Sequence, residues 1–453
     1  MSPLVAFAVF ALVAPLVALA LVRRRGVRPA AAAIGTFLAG WTLLPVGVYP
    51  AGAELVAFPY WITGAAVPSD MLVTKAWVAP AVALAVALLV ARRAFASLRA
   101  TPFDAAMLLW CAWPIVAALL ATEPRPGGAI ASAYLIGTWG ATWLLGRLVL
   151  GSDGGRRLLV EALPWAGLAC LPFALVEGLA GPDLYGRVFD TPHPFRLDGA
   201  ERYLGSRPIG FFEHGNQYGI WIAVCALAAT WLAIGERTPR RVVVAGVLVA
   251  TAILAQSIGA LLLLVGALVA LASARWVRPR AVAAAAVVAL VLGGTAYASG
   301  AVPWLRIGKE TTAGRAVVEA LRHAGRGSLP WRVAQDQRAL GIALATPVAG
   351  SARWDWWRPL DTRPWGLGIQ VLGQFGAVGL AALLVAWLGP AVRAAWRVPS
   401  RADAWNPGAP ALALAAIACV GLADAALNAF VAWPSVLAAA ALAARSDAET
   451  VSR

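Results

Sequence analysis

An all-α protein built to sit in a membrane is what three features of this sequence predict. Of its 453 residues, 61% are hydrophobic and 13% are charged, where soluble domains carry about 25% charge. The apolar residues fall in runs close to the ~20 residues that a helix needs to cross a bilayer core. The arginines cluster in alternate connections between those runs. A net charge of +15 therefore sets topology through the positive-inside rule, and it gives no argument for nucleic acid as a partner.

Thirteen apolar runs qualify: 3–22, 29–49, 73–91, 103–121, 129–149, 158–179, 216–235, 242–257, 259–273, 281–299, 365–388, 408–425 and 429–445. The first lacks a basic leader and is followed by Arg23-Arg24-Arg25. A cleaved signal has the reverse charge order, so this run is expected to remain as a spanning helix. The pairs 242–257/259–273 and 408–425/429–445 are short and joined by tight turns, which leaves about 12–13 transmembrane helices if one hairpin re-enters. Basic clusters follow every second run: Arg23–Arg28, Arg92/Arg93/Arg99, Arg156/Arg157, Arg237/Arg240/Arg241, Arg275/Arg278/Arg280 and Arg393/Arg397/Arg401. They place those connections, and the C-terminal Arg445–Arg453, in the cytoplasm and the N-terminus outside.

The chain then divides into N-terminal membrane helices (1–180), an external loop with central helices (181–299), a large outer loop (300–364) and C-terminal helices (365–453). No soluble domain separates from these, and no internal repeat is visible. The outer loop carries ten basic residues against five acids, on the side where topology gives no reason for them. An anionic ligand outside the membrane is the expectation. Within it, 312–324 and 330–345 show helical apolar spacing and read as amphipathic helices at the interface. Four tryptophans and three arginines then interleave over Ala352–Trp365. Two explanations stay open for them: an interfacial aromatic belt, or stacking on sugar faces beside a diphosphate site. The four cysteines (Cys111, Cys170, Cys225, Cys419) each lie inside an apolar run with no CxxC spacing. They read as small buried hydrophobes, with no metal site or disulfide framework.

Chemistry concentrates in Arg207-Pro-Ile-Gly-Phe-Phe-Glu-His-Gly-Asn-Gln-Tyr-Gly-Ile-Trp221. An arginine, a carboxylate, an imidazole and two amides meet there at the mouth of an apolar run, where ionisable groups are costly and hence functional candidates. His214 is the candidate general base, with Glu213 to orient it or to act as base itself. The alternative is a helix-capping cluster of Glu213, His214 and Asn216 at the start of helix 216–235. Gln256 and Ser257 stand out as polar residues at the turn of an otherwise apolar hairpin; they either line a ligand groove or satisfy the turn.

These motifs resemble the O-antigen ligase and O-antigen polymerase family of bacterial envelope glycosyltransferases, over roughly residues 200–390. Arg207-x-x-Gly-Phe-Phe-x-His-x-Asn216 is similar to the family's Arg-x-x-Gly-x-Phe-x-x-x-Asn pattern. Gly325-Arg326, Trp331 and Pro347-x-x-Gly350 follow in the family's order within the large outer loop. Gln370-Val-Leu-Gly-Gln-Phe-Gly-Ala-Val-Gly379 looks like its post-loop helix start. Two positions depart: Trp365-Gly366 stands where the family places His-Asn, and Gln256-Ser257-Ile258-Gly259 where it carries Ser-Arg-Gly. The resemblance implies a divergent, GT-C-like polytopic enzyme in a bacterial inner membrane, with its active face periplasmic. It would transfer a glycan from undecaprenyl diphosphate to a glycan or lipid A core acceptor, with membrane lipids as its surroundings and no cofactor or metal. Arg207 is the residue carried over from the family's functional set. Asn216, Gln217, Gln256 and Trp365 are expected to line the substrate site, with diphosphate ligands drawn from Arg326, Arg332, Arg338, Arg353, Arg358 and Arg363. Two other classes compete: a transporter or flippase of lipid-linked or anionic solute, and a catalytically inactive envelope-assembly scaffold.

Overall fold

The computed structural model of the chain describes residues 1–48, 73–96, 98–121, 127–181, 183–193, 201–202, 204–298, 302–323, 328–360, 364–398 and 402–444. It is 78% helical, and every apolar run of the sequence contains a helix. The chain opens with α1 (Pro3–Arg25) and α2 (Pro29–Leu43). A short strand, β1 (Gly47–Val48), pairs antiparallel with β2 (Val73–Thr74), which leads directly into α3 (Lys75–Val90). One turn, α4 (Arg93–Ala96), precedes α5 (Pro102–Leu120). The next run is not continuous α-helix: α6 (Gly128–Leu135) and α7 (Ala141–Val149) are joined by a π-helical turn over Ile136–Gly140. The run after it bends at Cys170 between α8 (Asp153–Ala169) and α9 (Leu171–Ala180), where Pro172 sits in the first turn of the second piece. After α10 (Leu184–Phe189) and the hairpin β3 (Glu201–Arg202) and β4 (Gly205–Ser206) come α11 (Gly215–Glu236), α12 (Pro239–Leu254), α13 (Ile258–Ser273) and α14 (Pro279–Ala298). The long connection over 300–364 contains α15 (Trp304–Glu310), α16 (Thr312–His323) and α17 (Ser328–Ala343). The chain closes with α18 (Leu367–Arg397), α19 (Ala411–Asn428) and α20 (Trp433–Ala443).

Local chemistry explains many of these ends. Ser2 and Ser152 cap α1 and α8 through bonds from Val5 N (3.4 Å) and Gly155 N (3.1 Å). Thr101 and Asp104 form a capping box on α5, and proline occupies the first turn of α1, α2, α5 and α12, where its missing N–H costs nothing.

Six helical paths among the described residues are long and apolar enough to cross a membrane: α1, α5, α8–α9, α11, α14 and α18. The helices α2, α3, α13, α19 and α20 are apolar but shorter. Leu4, Leu12 and Leu16 of α1 and Leu108 and Leu119 of α5 point outward and exposed, a surface that suits hydrocarbon and not water. By contrast α11 is buried along almost its whole length, packed among α8, α12, α13 and α19. Beside it, edge-on indoles of Trp110, Trp139, Trp387 and Trp433 fill the core, with Trp139 within 5.9 Å of each of the other three ring centroids.

The feature that shapes one end of the bundle is a break in α18. Gly376 adopts φ 67°, ψ −171° inside the helix, a backbone region open essentially to glycine alone. The segment 347–352 lies along the break and takes up the freed groups. Ser351 N donates to Gly373 O (2.9 Å), Ala352 N to Gln374 O (2.9 Å) and Ala377 N to Pro347 O (2.8 Å). The indole N–H of Trp113 takes the Phe375 carbonyl at 2.7 Å. A membrane helix can be interrupted only where other groups satisfy its backbone, and here the Pro347-x-x-Gly350 motif does so for the Gln370–Gly379 motif.

A Cβ at Gly376 would stand 2.1 Å from Val348 O, while one at Gly368 would meet nothing within 4 Å. The strained backbone alone costs about 1–3 kcal/mol for a non-glycine residue. Gly376→Ala should therefore lower the thermal midpoint of the detergent-solubilised protein by several degrees, and Gly368→Ala should leave it unchanged or slightly raised. Equal midpoints for the two variants would remove the glycine requirement.

Candidate functional site

The hairpin β3–β4 delivers the chain to Arg207, and α11 begins eight residues later, so Arg207 and the first turn of α11 share one corner. Arg207 is 3% exposed. Its Nη2 donates to Asn216 Oδ1 at 2.6 Å and its Nε to Ala255 O at 3.3 Å. Gly215 makes the fit possible, because a Cβ there would lie 2.4 Å from Arg207 Nε. Asn216 passes the connection on: its Nδ2 donates to Asn428 Oδ1 at 3.1 Å, at the C-terminal end of α19. The same Asn428 oxygen accepts from Arg332 Nη1 of α17, and Asn428 Nδ2 donates to Asp424 Oδ1 at 2.7 Å. Two arginines from separate loops are thus tied into one buried polar chain, Arg207–Asn216–Asn428–Arg332. The two long loops consequently meet at the same end of the helix bundle.

Trp365 packs on this chain. The Arg332 guanidinium lies 4.9 Å over its ring, and Trp331 leans against it at 5.4 Å. Asp336 holds the turn into α18 by accepting from the backbone N–H groups of Trp365 and Gly366. Ser257 approaches Asn216 Oδ1 at 3.5 Å.

The remaining expected residues divide. Gln256 spends its amide on the neighbouring hairpin, accepting from Leu204 N (3.1 Å) and donating toward Ser206 O (3.4 Å). Gln217 accepts from Glu213 N (2.9 Å) and donates to Val431 O (3.4 Å), a staple between α11 and the turn before α20. His214 is the N-cap of α11: its Nδ1 accepts from Asn216 N at 3.0 Å, and its ring stacks on Phe430 at 5.3 Å. In a neutral imidazole only one ring nitrogen is an acceptor, so this bond puts the proton on Nε2. Arg353 and Arg358 are not in the chain; they engage Asp355 and the indoles of Trp354 and Trp357. Arg338 is exposed on α17, and Arg326 and Arg363 lie outside the described residues. The tryptophan-rich stretch departs from a lipid-facing belt in three of its four members: Trp356 and Trp357 are buried between α17 and α18, and Trp365 is buried too.

Sequence reasoning passed over several groups that build this corner. Lys75, 1% exposed, donates to Trp41 O (3.1 Å) and Phe211 O (2.6 Å) and lies over the rings of Trp41 and Phe212, close enough for its charge to act on Glu213. Glu177, also 1% exposed, accepts from Ile209 N (2.7 Å) and Gly210 N (2.6 Å) through one oxygen. It clamps the turn inside the Arg207-x-x-Gly210 motif. Asp424 and Asn428 stand one turn apart on α19. The signal was present: Lys75, Glu177 and Asp424 are charged side chains inside apolar runs and Asn428 is an amide between two of them, each expensive unless used.

The cap makes a stability test. Removing an N-cap costs ~1 kcal/mol, and asparagine is among the best replacements. His214→Ala should therefore lower the thermal midpoint measurably and His214→Asn should recover it. Loss of the Phe430 stack in both variants would appear as a residual deficit in each; an alanine variant as stable as the original would show that the ring does no capping.

Compared with known proteins, the chain matches no family model, and no curated protein aligns with it significantly.

Proposed function

We propose that the chain is a membrane glycosyltransferase that moves a glycan from undecaprenyl diphosphate to a hydroxyl acceptor, as an O-antigen ligase or polysaccharide polymerase does, on the periplasmic face of a bacterial inner membrane. The observation that carries this reading is the coupling of Arg207 to Arg332 through Asn216 and Asn428. A diphosphate needs two or more cationic forks in a dry site, and a buried arginine bridged to a second arginine from another loop supplies that pairing.

In the proposed step the bond from the sugar C1 to the diphosphate oxygen breaks while the acceptor oxygen bonds to C1. The electron pair leaves with the diphosphate, whose growing charge the arginines stabilise. The acceptor proton passes to a protein base. With His214 Nδ1 committed to the helix cap, we assign that role to Glu213. Glu213 is buried beside His214 at the start of α11.

One observation favours a second reading, movement of the same lipid across the bilayer without transfer. The interrupted α18 is the kind of discontinuous helix that transporters place at their binding sites.

Reconstituted protein supplied with a glycan on undecaprenyl diphosphate and a glycan acceptor separates the two. Arg207→Lys and Arg207→Ala should both lose transfer by about 10²–10³-fold at unchanged protein level, since lysine lacks the two-point fork. Gly215→Ala, which displaces the Arg207 side chain without altering charge, should fall with them. Glu213→Gln should lose about 10²–10⁴-fold. Near-normal transfer by the lysine variant would reject the bidentate role. Lipid scrambling with no transfer at all would favour the second reading.

A further inference from the structure

The geometry points to a second binding site, a saccharide cleft on the outer loop that takes an acidic sugar. Beyond the end of α17 the chain turns back, runs along the break in α18 and coils through 354–359. These three pieces enclose a cavity of about 400 Å³, within the span of small-ligand sites. Its apolar wall is made by Ile342, Trp356 and Gly373. The glycine is required: a Cβ at 373 would come within 2.1 Å of Trp356 Cε2, so the indole lies flush on the helix backbone and is 5% exposed.

The rest of the lining includes charged side chains. Arg353 donates to both oxygens of Asp355, Nε at 3.0 Å and Nη2 at 3.2 Å. Arg358 stands 4.0 Å from Asp355 and rests over the rings of Trp354 (5.4 Å) and Trp357 (5.7 Å). Among the described residues of the lining, Arg353 and Arg358 stand against the single acid Asp355, a surplus of one positive charge. A sugar presents C–H faces to an apolar wall and hydroxyls to groups that both donate and accept, and the Arg353–Asp355 pair offers both. A carboxylate on that sugar meets the surplus guanidinium as a charge-assisted bond. An acyl chain would desolvate these charged groups and offer the surplus positive charge no partner.

The cleft is also placed for use. Ile342 follows Arg332 on the same helix by about ten residues, ~15 Å at the α-helical rise. A glycan seated there extends toward the arginine chain, as an acceptor would. That assignment as acceptor rests on the transferase reading; the binding of an acidic sugar does not.

The test uses the full chain in lipid nanodiscs, titrated with tetragalacturonate and, for comparison, neutral maltotetraose, and followed by calorimetry. The uronate should bind saturably and the neutral sugar about tenfold or more weaker, one charge-assisted bond being worth roughly that factor. Arg358→Ala should weaken uronate binding by about 10–100-fold. Ala345→Trp, which fills the pocket from an exposed position of the lining, should abolish it, and Arg306→Ala, at an exposed arginine of α15 outside the lining, should leave it unchanged. Absence of saturable binding by either sugar overturns the proposal, as does binding that Arg306→Ala removes and Ala345→Trp spares. Equal affinity for the two sugars overturns its acidic specificity. Intact uronate binding beside a failed transfer assay would count against the transferase reading and leave the cleft standing.

Discussion

The end of the bundle where the two long loops meet depends on one amide–amide hydrogen bond, Asn216 Nδ2 to Asn428 Oδ1 at 3.1 Å. An asparagine carries a donor and an acceptor on the same planar group, so two of them in sequence can pass a hydrogen-bond chain between cations. Here the chain runs from the Arg207 fork through both amides to Arg332 and ends on Asp424. These bonds tie the start of α11, the end of α19 and the N-terminal half of α17 to one another. They also keep two guanidiniums in a low-dielectric corner, where a fork is worth more to an anion than at an aqueous surface.

A second constraint sets the shape around that corner. The break at Gly376 would expose backbone groups where lipid offers them no partner, and segment 347–352 closes them with strand-like bonds. The same bonding carries the 354–359 coil against α17 and α18, where it encloses the cleft. The arginine chain and the cleft are therefore built on the same pair of helices, one near the start of α17 and one near its end. On the inner side of the motif, Glu177 and Lys75 hold residues 209–212 from below. Two buried charges from distant helices thus give the turn between Arg207 and α11 a fixed course.

Much of the helical frame was legible because apolar runs of spanning length and alternate arginine clusters are statements about single segments. The interruptions were harder to see. Nothing in Ile136–Gly140 announces a π-helical turn. The glycines of Gln370–Gly379 suggested a helix start, whereas Gly376 breaks the helix nine residues in, because the reason for the break is a loop some 25 residues upstream that only the fold brings alongside. The corner itself was half legible. Arg207 and Asn216 announced themselves as polar groups at the mouth of an apolar run. Their partner Asn428 sits far along the chain at the end of an alanine-rich helix, and the bond between them is a tertiary fact. His214 shows the limit from the other side: imidazole at a helix start reads equally as base or cap, and only the position of Nδ1 against Asn216 N separates them. The arginines of the outer loop looked like one pool, yet α17 puts Arg332 at one site and the coil after it puts Arg353 and Arg358 at another.

The claim on which the account turns is that Arg207 and Arg332 act on one anion, coupled by the paired asparagines. A double-mutant cycle on binding of undecaprenyl diphosphate measures this directly, using Arg207→Gln, Arg332→Gln and the double variant in nanodiscs. Residues that share a ligand and a hydrogen-bond network typically show coupling of about 0.5–3 kcal/mol. The account predicts a coupling in that range, with the double variant binding no more weakly than the poorer single variant by the full second loss. Strict additivity of the two losses, or undiminished binding in either single variant, would contradict it.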